Sequence, residues 1–202
     1  YCTFRTTEGY PCHAYSREGG RSWSEPEFMT YRPAGRRIKH PRAANFVRRL
    51  SNGKYIYWFH NHGGPVLASQ PNHVTVGYQS RNPVWLSGGV EKDGRIHWSQ
   101  PEIVLYDQNP GNRISYPDFV EQDGRLYVTE TQKEIARVHE VEWALLDAMW
   151  GSLEGAGEQV SSVATVAAVR ATAGVETLQM PELPLLSEGG GFAIELALPA
   201  GE

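Results

Sequence analysis

Residues Ser16–Trp23 read Ser-Arg-Glu-Gly-Gly-Arg-Ser-Trp, and this octapeptide is the best guide to how the chain folds. A second stretch, Glu91–Glu102, reads Glu-Lys-Asp-Gly-Arg-Ile-His-Trp-Ser-Gln-Pro-Glu. In both, an acidic residue precedes a tryptophan by five positions, a glycine lies between them, and Trp-Ser-x-Pro-Glu ends the pattern. The two copies are 75 residues apart. Units of roughly 40–50 residues would put them one or two units apart, so the pattern predicts a repeat fold.

The segments around these two copies are typical of short strands and tight turns. Branched and aromatic side chains favour strands, and such residues fill the runs Lys54–Phe59, Glu102–Tyr106 and Arg125–Thr129. Asn-Gly or Asp-Gly pairs, which suit hairpins because they accept positive φ, occur at 52–53, 93–94 and 123–124. Helical spacing first occurs at Val138–Trp150. We therefore expect residues 1–137 to be all-β, followed by a short helix near 138–150.

The first copy resembles the Asp-box, or bacterial neuraminidase repeat, Ser-x-Asp-x-Gly-x-Thr-Trp, with Glu18 in place of Asp and Ser22 in place of Thr. The second copy is degenerate, because its glycine comes one position early. This resemblance to the sialidase superfamily covers roughly residues 10–140. It implies a β-propeller in which the box is a turn between outer blade strands. In that family the acid and hydroxyl hold the turn and the tryptophan packs between strands, so we expect these residues to be structural.

The length of the chain bears on how much of a propeller it holds. Propellers have typically four to eight four-stranded blades, and at roughly 40–50 residues per blade the first part supplies about three. We therefore expect residues 1–150 to be about three blades of a six-bladed propeller, and the chain to be a fragment. Residues 151–188 have the small, polar composition of a linker or variable segment. Residues 189–202 resemble the first strand of a laminin-G or concanavalin-like jelly roll.

Composition and the family resemblance limit the classes of partner and the cellular compartment that we expect. The chain has a net charge of -4, and its β-rich part has 18 Lys/Arg against 16 Asp/Glu, which argues against a nucleic-acid partner. No apolar run is long enough to span a bilayer. A disulfide between Cys2 and Cys12 and two free thiols fit the sequence equally well. The family resemblance implies a secreted protein, extracellular or periplasmic, with a carbohydrate partner.

The first candidate site follows a predicted strand and contains His60, Asn61 and His62 before two glycines. On an extended backbone His60 and His62 point the same way, so both imidazoles would reach one pocket. Imidazoles serve as acids, bases or ligands near neutral pH. No third metal ligand has a recognisable spacing, so we predict neither a metal nor another cofactor. An ordinary polar loop is the alternative reading.

The second candidate site is Arg113–Phe119, which contains Tyr116 and Asp118. The resemblance implies a tyrosine nucleophile aided by a glutamate, and Tyr116 with Glu130 on the facing strand would fill these roles. Tyrosine is an exception to the usual carboxylate pair. Sialidases also clamp the substrate carboxylate with three arginines, because a guanidinium binds it bidentately. Candidate clamps, each near the end of a strand, are Arg42, Arg81 and Arg113. Blade core and turn capping are the alternative roles of the Tyr116 segment.

Three functions remain open from the sequence. The leading hypothesis is a sialidase-like glycoside hydrolase that acts on an anionic glycan through Tyr116 and Glu130. The second is a propeller polysaccharide lyase, in which His60 or His62 and Tyr116 act as base and acid on a uronate polysaccharide. The third is a carbohydrate-binding propeller without catalysis, whose aromatic side chains stack on sugar rings.

Overall fold

The computed structural model of the chain describes residues 1–77, 79–109, 111–131 and 135–154. They lie in a first unit, Tyr1–Gln159. The linker expected over 151–188 lies outside these residues except for its first four positions, which are helical, and the strand expected over 189–202 lies wholly outside them. The described chain is mostly β, with three antiparallel sheets and few helices, in agreement with the predicted class. The three sheets do not close into a ring.

All three sheets are antiparallel, and the first and third are simple meanders. The first contains β1 (Cys2–Phe4), β2 (Cys12–Ala14) and β3 (Glu27–Phe28). The second contains β4 (Phe46–Arg49), β5 (Tyr55–Phe59), β6 (Val84–Lys92), β7 (Arg95–Trp98) and β8 (Glu102–Leu105), where β7 and β8 pair with successive parts of β6. The third contains β9 (Ser115–Gln122), β10 (Arg125–Thr131) and β11 (Ala136–Val141). The helices are α1 (Pro65–Ala68), α2 (His73–Val76) and α3 (Trp143–Glu154).

The hairpin turns follow the predicted chemistry. Asp93-Gly94 joins β6 to β7 with φ of 51° and 70°, and Asp123-Gly124 joins β9 to β10 with φ of 51° and 75°. Both central residues are therefore left-handed, as tight hairpins with a right-handed strand twist require. The three predicted strands are also confirmed, as β5, β8 and β10.

The second sheet lies between two apolar clusters because successive side chains of β5 point to opposite faces. Ile56 and Trp58 join the larger cluster, which the third sheet and α3 complete with residues such as Phe119 and Trp150. Tyr57 and Phe59 join the smaller cluster, which includes Met29, Tyr31, Ile38, Ile96 and Trp98. Every residue of β5 after Tyr55 is buried, so this strand is the centre of the described fold.

The two sequence repeats have different surroundings, because the first is the loop between β2 and β3, whereas the second spans the turn between β6 and β7 and includes β7 itself. In the first, Ser16 Oγ accepts the Gly20 amide hydrogen bond at 2.7 Å, and Ser22 Oγ donates to Glu18 at 2.9 Å. The acid and hydroxyls thus hold the turn, as the resemblance implied. The tryptophans differ, because Trp98 is 2% exposed and Trp23 is 49% exposed. Trp98 packs between strands, whereas Trp23 lies at the surface.

The helix predicted over 138–150 begins later, at Trp143. Residues up to Val141 pair instead with β10, with Val141 opposite Leu126 and Val138 opposite Thr129. β-branched residues suit this edge strand, and Val141 joins the core from it. The predicted helix starts five residues too early because Val141 fits both the helical and the strand pattern.

Cys2 and Cys12 are free thiols. In the register of β1 and β2, Cys2 faces Ala14 and Cys12 faces Phe4. The two cysteines are therefore diagonal neighbours, about 7–8 Å apart in such a ladder, which is too far for a disulfide. Within the part of the chain that is described, no helix combines the length and apolarity that crossing a membrane requires.

Candidate functional site

The candidate site is organised by the Ser80–Pro83 segment, which enters β6. The Arg81 carbonyl accepts a hydrogen bond from the Ile114 amide at 3.2 Å, and the Arg81 guanidinium donates to Ser115 Oγ at 2.9 Å. Asn82 donates through its amide to the Asp107 carbonyl at 2.7 Å. The segment therefore joins the second sheet to the start of β9, where Tyr116 lies.

Two buried histidines stack on each other beside this segment, and one of them, His60, is bonded to it. His60 is 1% exposed, and its Nδ1 lies 3.3 Å from the Pro83 carbonyl, an acceptor, so Nδ1 carries the proton. His40 Nδ1 accepts the His60 amide at 3.2 Å, which leaves its Nε2–H to donate to the Ala43 carbonyl at 3.0 Å. The two rings stack with centroids 5.7 Å apart. Both tautomers are thus fixed by neighbouring backbone groups.

Both buried histidines are neutral. Burial, followed by a smaller contribution from the positive charges of His62 and Arg81, lowers the pKa of His60 to about 3. Burial and the neighbouring His60 hold the pKa of His40 well below its ordinary value. The Nε2 atom of His60 has a free lone pair, but it is buried without a hydrogen-bond partner. His60 is therefore closed off from solvent, and its hydrogen bonds connect His40 to Pro83.

His62 is the accessible member of the group, since it is only partly buried. Its Nε2–H donates to the Ser80 carbonyl, which leaves the Nδ1 lone pair as the basic atom. Burial lowers the pKa of His62 below its ordinary value, so the ring is neutral near neutral pH. His62 is therefore suited to accept a proton. Its hydrogen bond to the Ser80 carbonyl attaches the ring to the residue that precedes Arg81.

Tyr116 lies beside the Arg81 guanidinium. Its side chain is 60% exposed, and the Arg81 guanidinium lies 5.8 Å from the centre of its ring. A hydrogen bond from Arg81 and the charge of that guanidinium lower the pKa of the phenol, and Arg5 acts in the same direction. Arg81 itself is 7% exposed. Tyr116 is thus an acidified phenol beside two arginines, one buried and one at the surface.

The backbone at Tyr116 explains how the ring reaches this position. Tyr116 has a φ of 53°, which is uncommon for a residue other than glycine. The register between β9 and β10 shifts there, so that Ser115 faces Thr131 while Asp118 faces Thr129. An irregularity of this kind re-aims a side chain at the end of a strand and is frequent next to active sites.

Arg5 is brought to the site by close backbone contacts of its loop. The Gly9 carbonyl accepts hydrogen bonds from the His40 amide at 3.0 Å and the Gly64 amide at 2.8 Å. A Cβ on Gly9 would lie 2.2 Å from the Gly64 nitrogen, and Gly9 has a φ of 74°. Only glycine fits there, so the Arg5 loop is fixed against the His60–Gly64 loop.

Glu130 lies in a separate cluster on the buried face of the third sheet. Its carboxylate is 3.5 Å from His139 Nε2 and 3.8 Å from Arg137 Nη1, and Arg137 also contacts Asp107 at 3.3 Å. Both Glu130 oxygens are buried without a hydrogen bond that meets ordinary geometry. Glu130 occupies the strand position opposite the Tyr116 irregularity, but the groups that acidify Tyr116 are arginines.

The other predicted residues have different surroundings. Asp118 is exposed, lies 4.0 Å from Arg48, and accepts a hydrogen bond from the Phe119 amide. Arg42 donates to the Val74 carbonyl of α2 at 3.3 Å. Arg113 is exposed immediately before Ile114, and Asn61 turns the chain between the two histidines with a φ of 47°. The residues that the structure brings together around Arg81 are thus His60, His62 and Tyr116.

Two members of the site were missed by the sequence analysis. Arg5 and His40 lie far along the chain from the predicted loops, and no local motif marks either one. The one available signal was Gly9, whose lack of a side chain permits the contact, but a single glycine does not identify its partner. Within the described ranges, no three histidine, cysteine or carboxylate side chains converge as they would around a metal ion.

No family model matches this chain, and no match is found among curated proteins or among solved structures. The chemistry of the site accordingly rests on its own geometry.

Proposed function

We propose that the chain is part of a carbohydrate-active β-propeller that acts on an anionic glycan, with Tyr116 as the reacting phenol. The observation that carries this proposal is the position of Tyr116 beside Arg81 and Arg5, with two histidines attached to the same Ser80–Pro83 segment. An acidified side chain among fixed cationic groups is a common property of catalytic sites.

The propeller part of the proposal is supported by how the sheets repeat. The three antiparallel sheets have three, five and three strands, and the second has apolar clusters on both faces, as a blade between two blades would have. A box-like sequence follows β2 in the first sheet and β6 in the second. Propellers are built by radial repetition of antiparallel sheets, typically of four strands each.

The substrate class follows from the arginines. Guanidinium groups bind carboxylates and other oxyanions with paired N–H donors. Arg81 donates to Ser115 and lies beside Tyr116, and the exposed Arg5 is the second guanidinium that acts on the phenol. Two guanidiniums beside one phenol favour an anionic ligand, so an acidic sugar residue is the substrate class that we propose.

Among reactions on acidic sugars, β-elimination fits the contacts best. His62 Nδ1 would take the proton from the carbon next to the carboxylate, and Arg5 would stabilise the charge that develops there. The electron pair would then form a carbon–carbon double bond as the glycosidic C–O bond breaks. Tyr116 would give its proton to the leaving oxygen, and a lowered pKa makes it a better acid for this step.

Hydrolysis through Tyr116 as a nucleophile is the second candidate. Its support is Glu130, which occupies the strand position facing the Tyr116 irregularity, as a helper of the phenol would. Against it, the contacts of the Glu130 carboxylate are Arg137 and His139. A binding module without turnover is the third candidate, and its aromatic side chains would stack on sugar rings.

The test is to incubate the full chain with a uronate polysaccharide and with a sialoside. A lyase gives products that absorb in the ultraviolet as unsaturated uronates, whereas a sialidase releases free sialic acid without that absorbance. We expect the unsaturated product, and we expect Tyr116→Phe to lower its rate by roughly 10²–10⁴-fold, the usual contribution of a general acid. Tyr106→Phe is the matched control, since Tyr106 is 68% exposed and lies outside the site.

Two further variants separate the candidates. Glu130→Gln keeps the shape of the buried side chain, so a lyase would retain its rate and a hydrolase would lose it. His62→Gln would abolish elimination and leave hydrolysis unaffected. Turnover of either substrate that survives Tyr116→Phe would overturn the assignment of Tyr116, and absence of turnover in the unaltered chain would favour the binding module.

A further inference from the structure

A second polar cavity lies at the box turns and shares no residue with the Arg81 site. Its volume is about 350 Å³, which is near the small end of the range for ligand pockets, and it is lined by Tyr15, Arg17, Glu18, Ser22, Trp23, Ser24 and Arg95. The residues come from the first box and from β7 of the second. We propose that this cavity is a binding site for one acidic monosaccharide unit of a glycan.

Trp23 provides the apolar wall of the site. All six tryptophans of the chain lie in the described ranges, and Trp23 is the only one with an exposed side chain. Its indole N–H donates to the Gly20 carbonyl at 3.1 Å, within the same turn. The ring is thus held by its polar edge while a face remains open to solvent. A fixed aromatic face of this kind suits stacking against the C–H face of a sugar ring.

Two guanidiniums provide the positive charge. Arg17 and Arg95 lie 5.3 Å and 5.5 Å from the centre of the Tyr15 ring. Arg17 also donates to the Gly94 carbonyl, and Arg95 bonds Glu27 at 2.9 Å through one terminal nitrogen. A guanidinium has five N–H donors, so each arginine is held by its neighbours and keeps donors for a ligand. Such preorganisation lowers the entropic cost of binding.

The remaining wall suits hydroxyl groups. Glu18 accepts from Ser22 Oγ at 2.9 Å, and its carboxylate keeps acceptor positions for sugar hydroxyls. The lining carries two guanidiniums and one carboxylate, and Glu27, which lies outside the lining, pairs with Arg95. Arg17 is therefore the main cationic group for an acidic ligand. An aromatic face, a paired donor for an oxyanion and an acceptor for hydroxyls together describe a sugar that bears a carboxylate or a sulfate. A neutral sugar would leave the arginine donors unused.

The site does not depend on the proposed reaction, so it is tested by binding alone. The probes are glucuronate, galactose 6-sulfate and glucose, each titrated into the full chain by calorimetry and by ligand-observed NMR. We expect saturable binding of at least one acidic sugar and weaker binding of glucose, and the two acidic probes distinguish a carboxylate from a sulfate ligand.

Three variants identify the site of binding. Trp23→Ala and Arg17→Gln should each weaken binding by about tenfold or more, as expected for an aromatic or arginine anchor. Tyr106→Ala, which removes an exposed aromatic ring elsewhere, should leave binding unchanged. Thermal unfolding checks that each variant is folded. If Trp23→Ala does not fold, Arg17→Gln still tests the site, because it leaves the indole in place. Glucose binding as tightly as glucuronate, binding that both variants retain, or no binding of any probe would overturn the proposal.

Discussion

At the scale of single residues, the stacked pair His40 and His60 makes the site sensitive to acid. Both rings are buried and hydrogen-bonded to backbone groups that require one neutral tautomer each. Two cationic groups face the rings: His62, which is charged when it is protonated, and Arg81, which is always charged. Protonation of either buried ring would thus break a hydrogen bond and add a like charge beside a guanidinium.

The pKa of His60 gives this effect a sign and a pH range. In the unfolded chain the ring titrates near 6.5, whereas in the folded chain its pKa is about 3. Between these values the unfolded state binds a proton that the folded state does not, so stability is present above pH 6.5 and is lost as the pH falls toward 3. We expect urea unfolding to show this decline, at up to about 1.4 kcal/mol per pH unit from this one group.

His60→Asn tests this prediction because the asparagine amide still donates to the Pro83 carbonyl but does not titrate. The variant should lose stability at neutral pH through lost ring contacts, and its free energy of unfolding should fall less steeply in acid than that of the unaltered chain. Equal slopes for the two proteins would contradict the role given to His60.

Sequence reasoning reached the residues of the site that lie next to a recognisable strand end. His60, His62, Arg81 and Tyr116 were all found because each adjoins a strand or a turn signal. Arg5 and His40 were not, since their roles depend on contacts between distant backbone segments. The left-handed backbone at Tyr116 was equally out of reach, because the Tyr-Pro pair on its own does not require a register shift.

At the scale of elements, β6 depends on two glycines where large rings cross it. A Cβ on Gly89 would lie 2.6 Å from Trp98 Cζ3, and one on Gly88 would lie 2.8 Å from Trp150 Cδ1. The two tryptophans pack on opposite faces of the sheet, in the smaller and larger clusters. β6 therefore requires residues without a side chain at these two positions. The sequence analysis did not identify the two glycines as packing positions.

We expect Gly89→Ala to destabilise the protein by about 1–3 kcal/mol, the usual cost of overpacking a closed core. Gly151→Ala in α3 is the matched control, since a Cβ there meets no atom within 4 Å. Alanine favours helix over glycine, so the control should gain up to about 1 kcal/mol. Urea unfolding of both variants measures the two effects, and a neutral result for Gly89→Ala would mean that Trp98 moves aside freely.

At the scale of the whole described molecule, one strand belongs to both cores. Ile56 faces the larger cluster and Phe59 the smaller one. Loss of either cluster therefore exposes one face of β5 and weakens the strand against which the other cluster packs. The helix α3 strengthens the link, since Trp150 donates to the Tyr55 carbonyl at 2.9 Å and Lys54 pairs with Glu154 at 2.8 Å. The repeat pattern in the sequence predicted separate units, but it did not predict that two apolar clusters share one strand.

This arrangement predicts that residues on both sides of β5 unfold together. Ile56→Ala and Phe59→Ala should each lower one common transition, by roughly 2–5 kcal/mol, in far-ultraviolet circular dichroism and in tryptophan fluorescence alike. Val66→Ala is the control, because Val66 is exposed on α1 and should leave the transition in place. Two transitions that respond to different variants would show that the clusters are independent.

The Ser80–Pro83 segment has one further consequence. The accessible imidazole, the buried imidazole and the acidified phenol are each bonded to a different residue of these four. A shift of the segment therefore displaces the proposed proton acceptor and the proposed proton donor together. Substitutions in these four residues should accordingly change the geometry of the candidate site while the sheets that carry it stay as they are.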